Sequence, residues 1–258
     1  MERDPRSALT AFGARAAGGA RLAFEFLLPR ACAVCESLMA EHEPGIVCGR
    51  CWSRLEPLSA PRCERCGHPN LRSACAWCRL LPPYVRAARS VCWMHRGTGA
   101  DIVHALKYSG WHSIGAGLAE RMARLSWPTD VADERSMIVP VPLSASRFRE
   151  RGYNQAAVMA DALASRWKIP ARTDVLVRSR STATQTKLTP EQRLANVSSA
   201  FRVLAGAAPV LRNAHVVVVD DVITTAATLN ACAAALFAGG ARILSYVTFG
   251  RAPAAGDR

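Results

Sequence analysis

The chain has 258 residues, half of them hydrophobic, enough for one sizeable α/β core plus a small extra module. Lys and Arg outnumber Asp and Glu by 33 to 20, a formal net charge of +13, which points to polyanionic partners such as nucleic acid, nucleotide or pyrophosphate. No apolar run approaches the roughly 20 residues that a membrane span needs, so a transmembrane segment is not expected.

Residues 1–28 come first. They end in Leu22-Ala23-Phe24-Glu25-Phe26-Leu27-Leu28, interrupted by Arg21 and Glu25, which argues against a secretory signal. The expectation is an amphipathic lead-in helix on a cytoplasmic protein, with a transit or membrane-surface helix as the alternative.

Residues 29–82 hold four Cys-x-x-Cys pairs: Cys32/Cys35, Cys48/Cys51, Cys63/Cys66 and Cys75/Cys78. Two-residue spacing lets both thiolates of a pair point at one ion, and two pairs complete a tetrahedral zinc site. A disulfide framework is the competing reading, and it requires an oxidising compartment. The array predicts two structural zinc ions. One is assigned to Cys32, Cys35, Cys48 and Cys51, the other to Cys63, Cys66, Cys75 and Cys78; the spacing leaves crossed pairing open.

Pro82-Pro83 marks a boundary, and residues 83–251 then alternate strand and helix. Strands are predicted over 85–93, 137–141, 175–177, 216–219 and 243–249. Helices are predicted over 100–108, 114–125, 155–167 and 226–237. Four consecutive valines, Val216 to Val219, suit a central strand buried on both faces. The fold class is therefore α/β, a parallel sheet flanked by helices, behind a small N-terminal zinc module. Residues 252–258 read as a tail.

The decisive segment follows the valines: Asp220-Asp221-Val222-Ile223-Thr224-Thr225-Ala226-Ala227-Thr228. A buried strand ends in two acidic residues, and a Thr-rich loop opens a helix. Unpaired N–H groups and the positive dipole end of a helix N-terminus hold phosphate, and the carboxylates would accept from a sugar's vicinal hydroxyls.

The segment is similar to the ribose-phosphate signature of type I phosphoribosyltransferases. The chain as a whole resembles the ComF family, also called GntX-like. Further matches are Ala105-Leu106-Lys107-Tyr108, Val139-Pro140-Val141-Pro142-Leu143, Arg149-Glu150-Arg151-Gly152-Tyr153-Asn154-Gln155 and Thr184-Gln185-Thr186-Lys187-Leu188. The resemblance covers roughly residues 22–250 and implies a double zinc ribbon before a phosphoribosyltransferase-like domain.

Carried over residue by residue, it implies that the loop Thr224, Thr225, Ala226, Ala227 and Thr228 holds a 5′-phosphate. Asp220 and Asp221 would face the ribose hydroxyls. Residues 142–155 would form a pyrophosphate loop with Arg149, Arg151 and Asn154 as ligands, and residues 180–196 a hood over the substrate. Magnesium would accompany phosphoribosyl pyrophosphate. The signature normally has Gly where this chain has Ala226. If that position needs φ > 0, alanine costs on the order of 1 kcal/mol, and its methyl would crowd the phosphate.

Residues 140–202 carry eleven Arg or Lys against four Asp or Glu, and Arg147, Arg149 and Arg151 are interleaved with Phe148 and Tyr153. Arginines suit bidentate phosphate contacts and rings stack on bases, so single-stranded DNA is a second candidate ligand. Two functions follow. One is a phosphate-site protein in DNA uptake or utilisation, with a competence helicase or recombination mediator as partner. The other is an active phosphoribosyltransferase in nucleotide metabolism, with Asp220, Asp221, Lys107, Arg149 and Arg151 in the chemistry.

Overall fold

The sheet is built around its most apolar strand. In the computed structural model, which describes residues 30–69, 75–95, 97–179 and 200–253, four parallel strands stand in the order β1–β6–β5–β2. These are β1 (Val85–Trp93), β2 (Arg135–Pro140), β5 (His215–Ile223) and β6 (Ile243–Arg251). A separate antiparallel pair joins β3 (Leu176–Arg178) to β4 (Phe201–Val203). The lead-in segment, the expected hood at 180–196 and residues 254–258 lie outside the described residues.

Val216 to Val219 are fully buried in β5 because the sheet has helices on both faces. Successive strand side chains alternate between faces. Val216 and Val218 pack with Leu229, Cys232 and Leu236 of α8 (Ala227–Ala238). Val217 and Val219 pack with residues of α2 (Thr98–Tyr108), α3 (Ile114–Ala123) and α6 (Gln155–Trp167). Burying each valine contributes roughly 1.5 kcal/mol or more, so this strand alone anchors much of the core.

The structure lengthens β5 beyond the valines. β6 continues beside it, pairing Asp220 with Thr248 and Ile223 with Arg251, so the acidic pair lies inside the strand rather than after it. It also adds short helices. They are α1 (Gly49–Ser53), α4 (Thr129–Glu134), α5 (Ala145–Arg151) and α7 (Ala208–Leu211).

The cysteine segments do not hang off the domain. Cys32, Cys48 and Cys51 belong to the core on the α2–α3–α6 face, and Cys66, Trp77 and Leu81 to the core on the α8 face. The chain between them runs along β1. Trp93 N–H donates to the Glu56 carbonyl (2.8 Å), and Ala88 N–H to the Arg65 carbonyl (2.8 Å). β1 is the outermost strand of its sheet, so these contacts cover an edge that would otherwise expose unpaired backbone groups.

The close approach depends on Gly67. Its φ is +68°, and a Cβ there would lie 2.5 Å from the Ala88 carbonyl oxygen. We predict that Gly67→Ala lowers stability by about 1–3 kcal/mol in urea denaturation, from left-handed backbone strain plus the clash. A change within experimental error would show that this contact is not tight.

Candidate functional site

The two cysteine clusters each fit one zinc ion. Cys32, Cys35, Cys48 and Cys51 bring their sulfurs within 4.8 Å of one another, and so do Cys63, Cys66, Cys75 and Cys78. Thiolates on a zinc tetrahedron with bonds of about 2.3 Å lie about 3.8 Å apart. The Sγ atoms of Cys32 and Cys51 are 3.8 Å apart, those of Cys35 and Cys48 3.7 Å. The Cys63–Cys78 and Cys66–Cys75 separations are both 3.4 Å. Each cluster thus draws on two pairs consecutive in the chain. All four corners are thiolates, so both sites are of the closed, structural kind.

The phosphate-loop residues sit together at the C-terminal end of β5. Thr224, Thr225, Ala227 and Thr228 are exposed around a small concavity of about 50 Å³, with Asp220 at its edge. Helix α8 starts at Ala227 with no side chain capping it, so its first N–H groups open onto this concavity. Ala226 occupies the left-handed region at φ 62°, ψ 2°. Its side chain is 3 % exposed and belongs to the α8-side core. The residue thus packs against the core while also lining the concavity.

Alternation along β5 separates the two carboxylates. Asp220 continues the Val216/Val218 face and is half-buried beside the loop. Asp221 continues the opposite face, is 5 % exposed, and is held from both sides. Lys107 Nζ donates to its Oδ1 at 2.9 Å, and Gln155 Nε2 donates to its Oδ2 at 2.9 Å. Asp221 and Lys107 thus neutralise each other under the site, a geometry unlike the expected pair of carboxylates facing one diol.

The chain of contacts continues outward. Gln155 Oε1 accepts from Arg151 (2.8 Å), whose guanidinium also donates to the Tyr108 hydroxyl (3.4 Å) and lies over that ring. Gln155 and Tyr108 had no role in the sequence reading. They lie in the two quoted motifs 105–108 and 149–155, and their shared purpose shows only when Asp221 comes between them.

The expected pyrophosphate loop is partly helical. Ser144 caps α5 by accepting from Arg147 N–H (3.3 Å), and Gly152, at φ 76°, ends it. Arg149 is exposed and makes no hydrogen bond or ion pair among the described residues. Asn154 is spent on structure: its Oδ1 accepts from Ala156 N–H (3.0 Å) and its Nδ2 donates to the Val141 carbonyl (3.0 Å). It caps α6 in place of the phosphate contact expected of it. Tyr153 is buried, donating its hydroxyl to the Leu106 carbonyl and packing on His112, so it offers no free face for stacking. The exposed rings beside these arginines are Phe148, their neighbour in sequence, and Tyr108, under Arg151.

A double zinc ribbon domain model matches residues 23–81, and a phosphoribosyl transferase domain model matches residues 153–257. The DNA utilization protein YhgH of Salmonella typhi is 33% identical over 223 residues, covering 83% of this chain and 93% of that protein. Competence protein F of Haemophilus influenzae is 43% identical over 94 residues, 36% of this chain and 40% of that one. Competence protein ComFC of Bacillus subtilis is 25% identical over 201 residues, 75% and 79% of the two chains. The chain belongs to the ComF-like family.

In this ComF-like chain the carboxyl of Asp220 is pushed up to about 8, first by burial and then by the charge of Asp221. A carboxyl raised on folding binds its proton more tightly in the folded state than in the unfolded chain, where its pKa is 3.8. Its ionisation therefore opposes folding increasingly as pH rises from about 4 to about 8. We predict that Asp220→Asn stabilises the unliganded protein more at pH 8 than at pH 5 in urea denaturation. An equal effect at both values would mean that Asp220 titrates as if in water.

Replacing Ala226 sets opposing effects against each other. Relief of left-handed strain gains roughly 1–2 kcal/mol. Loss of a buried methyl costs about 0.8 kcal/mol, and glycine's added unfolded-state freedom about 0.4–1 kcal/mol. Ala226→Gly should therefore change stability by less than about 1 kcal/mol and phosphate-ligand affinity by less than about twofold. A tenfold gain in affinity on calorimetric titration would show that the methyl does obstruct the ligand.

Proposed function

We propose that this chain binds phosphoribosyl pyrophosphate, or a ligand with the same sugar 5′-phosphate, at residues 220–228, and that it serves DNA uptake or utilisation. The observation that carries the reading is the uncapped start of α8, with exposed Thr224, Thr225 and Thr228 around it and Asp220 alone on the loop side of β5. Phosphate would be held by the N–H groups and Thr hydroxyls, and a ribose hydroxyl or magnesium by Asp220. Either partner favours the ionised carboxyl. Magnesium would also offset the pyrophosphate charge, with Arg149 and Arg151 as its protein counterparts.

The relatives named for DNA utilisation and competence support the biological setting. The partners in that setting are single-stranded DNA and a competence helicase or recombination mediator. Among the described residues no helix is long and apolar enough to cross a membrane. Action in the cytoplasm suits thiols that ligate zinc rather than pair as disulfides.

One observation favours a second reading. Ala226 is 3 % exposed and packs with the core, which supports a loop that still accommodates a phosphate despite the departure from glycine. An active phosphoribosyltransferase in nucleotide metabolism would use the same residues, with Asp220 beside the cationic sugar of the transition state and Arg149 and Arg151 on departing pyrophosphate. Pyrophosphate release over a panel of bases separates the two.

Phosphoribosyl pyrophosphate with magnesium should raise the melting temperature. At 100 times its dissociation constant the stabilisation is about 2.7 kcal/mol. Asp220→Asn should remove most of that shift while leaving the fold intact; an undiminished shift would place the ligand elsewhere. Asp221→Asn is a poorer probe, because it leaves Lys107 without its counter-ion.

If α5 carries single-stranded DNA, affinity should fall steeply with salt, and Arg149→Ala should flatten the log–log slope by about 0.7. A slope unchanged by this substitution would put the DNA contact on another surface.

A further inference from the structure

The second zinc cluster and the phosphate helix are joined by two side-chain bridges that neither a structural zinc site nor a phosphate loop requires. The first is Asn230, in the second turn of α8. Its Oδ1 accepts from the hydroxyl of Tyr246 on β6 (3.0 Å), and its Nδ2 donates to the carbonyl of Leu80 (2.7 Å). Leu80 closes the 3₁₀ turn Ala76–Leu80 that contains the zinc ligand Cys78. Asparagine is a poor residue for a helix interior, yet here both ends of its amide are used.

The second bridge is Arg251, at the end of β6. It is fully buried, stacks on Trp77 at 4.2 Å, and donates to the carbonyl of the zinc ligand Cys66 at 2.6 Å. Its backbone pairs with Ile223, the last residue before the phosphate loop, and Ala252 N–H donates to the Ile223 carbonyl (2.9 Å). A buried guanidinium needs a counter-charge. A zinc ion on four thiolates would carry a net charge of −2 beside Cys66 and would favour this cation.

We infer that the second zinc cluster is a positioning element for the phosphate loop, with Asn230 holding α8 and Arg251 holding the end of β6 to the metal-bound knuckles. Zinc at Cys63, Cys66, Cys75 and Cys78 fixes the Cys66 and Leu80 carbonyls. Those carbonyls fix the two side chains, which in turn set where Thr224 to Thr228 and the first N–H groups of α8 point. Among the described residues the first cluster packs with the other core and has no side-chain hydrogen bond to α8, so the two zinc ions have different consequences. Coupling of this kind is reciprocal: whatever zinc does for the loop, a ligand on the loop does for zinc retention.

Hydrogen exchange of the backbone amides at residues 224–232 tests this on the full chain without any ligand. The comparison is between wild type, Cys75→Ser with Cys78→Ser, and Cys32→Ser with Cys35→Ser. Exchange there should accelerate at least several-fold in the second-cluster variant and stay near wild type in the first-cluster variant. Equal acceleration in both, or none in the second-cluster variant, would overturn the inference.

Asn230→Ala keeps all eight thiols and serves if the cysteine variants fail to fold. It should speed the release of one of two zinc ions to a colorimetric chelator by roughly threefold to tenfold, the worth of a hydrogen bond, and speed exchange at 227–231 alike. Unchanged zinc release and unchanged exchange would sink the coupling.

A ligand arm rests on the phosphate reading. Phosphoribosyl pyrophosphate with magnesium should slow release of that same zinc ion. Coupling seen by exchange with no effect of this ligand would refute the phosphate reading and leave the coupling standing.

Discussion

A strand can offer adjacent residues only to opposite faces, and that constraint organises this molecule. β5 carries four valines and then two aspartates in one unbroken alternation. The same period that buries Val217 and Val219 against α2, α3 and α6 drives Asp221 into that layer, where Lys107 and Gln155 must neutralise and satisfy it. The period that buries Val216 and Val218 against α8 leaves Asp220 beside the loop that starts this helix. One carboxylate is thus held by Lys107 and Gln155, and the other lies beside the loop concavity. An isolated charge at the Asp221 position would be costly, so Lys107 and Gln155 are needed for the fold before they are needed for any chemistry.

From Asp221 the polar contacts run through Gln155 and Arg151 to Tyr108 at the surface, tying the ends of α2, α5 and β5 and the start of α6 into one unit. On the other face, the second cysteine cluster, β1 and α8 form a second unit, while the first cluster packs with the α2–α3–α6 core. The ribbons cover the open edge of the sheet and add to both cores. Zinc, sheet and loop are therefore parts of one packing problem.

Much of this was legible in the chain. Gln155–Trp167 has the same bounds in sequence and structure, because its apolar residues recur at helical spacing between a capping Asn154 and Lys168. The cysteine pairs and the valine run carried the ribbons and the central strand for similar local reasons. α5 was not legible, because none of its residues is buried and no apolar period marks it. The extension of β5 through Asp220 and Asp221 was hidden because aspartate disfavours strands, and only pairing with β6 overrides that. The duties of Gln155 and Asn230 were invisible because their partners lie 66 and 150 residues away. Asn154 was expected to face a ligand from the family resemblance and Tyr153 from the arginines around it; in the structure Asn154 caps α6 and Tyr153 donates to the Leu106 carbonyl.

The central claim is that β5 divides its two carboxylates between fold and ligand and leaves the start of α8 to hold a phosphate. The most direct measurement follows the backbone amide resonances of isotopically labelled protein while magnesium phosphoribosyl pyrophosphate is added. The account predicts saturable shifts concentrated at residues 224–228, lost in Asp220→Asn. Shifts centred on the zinc ribbons, or equal shifts in the variant, would contradict it.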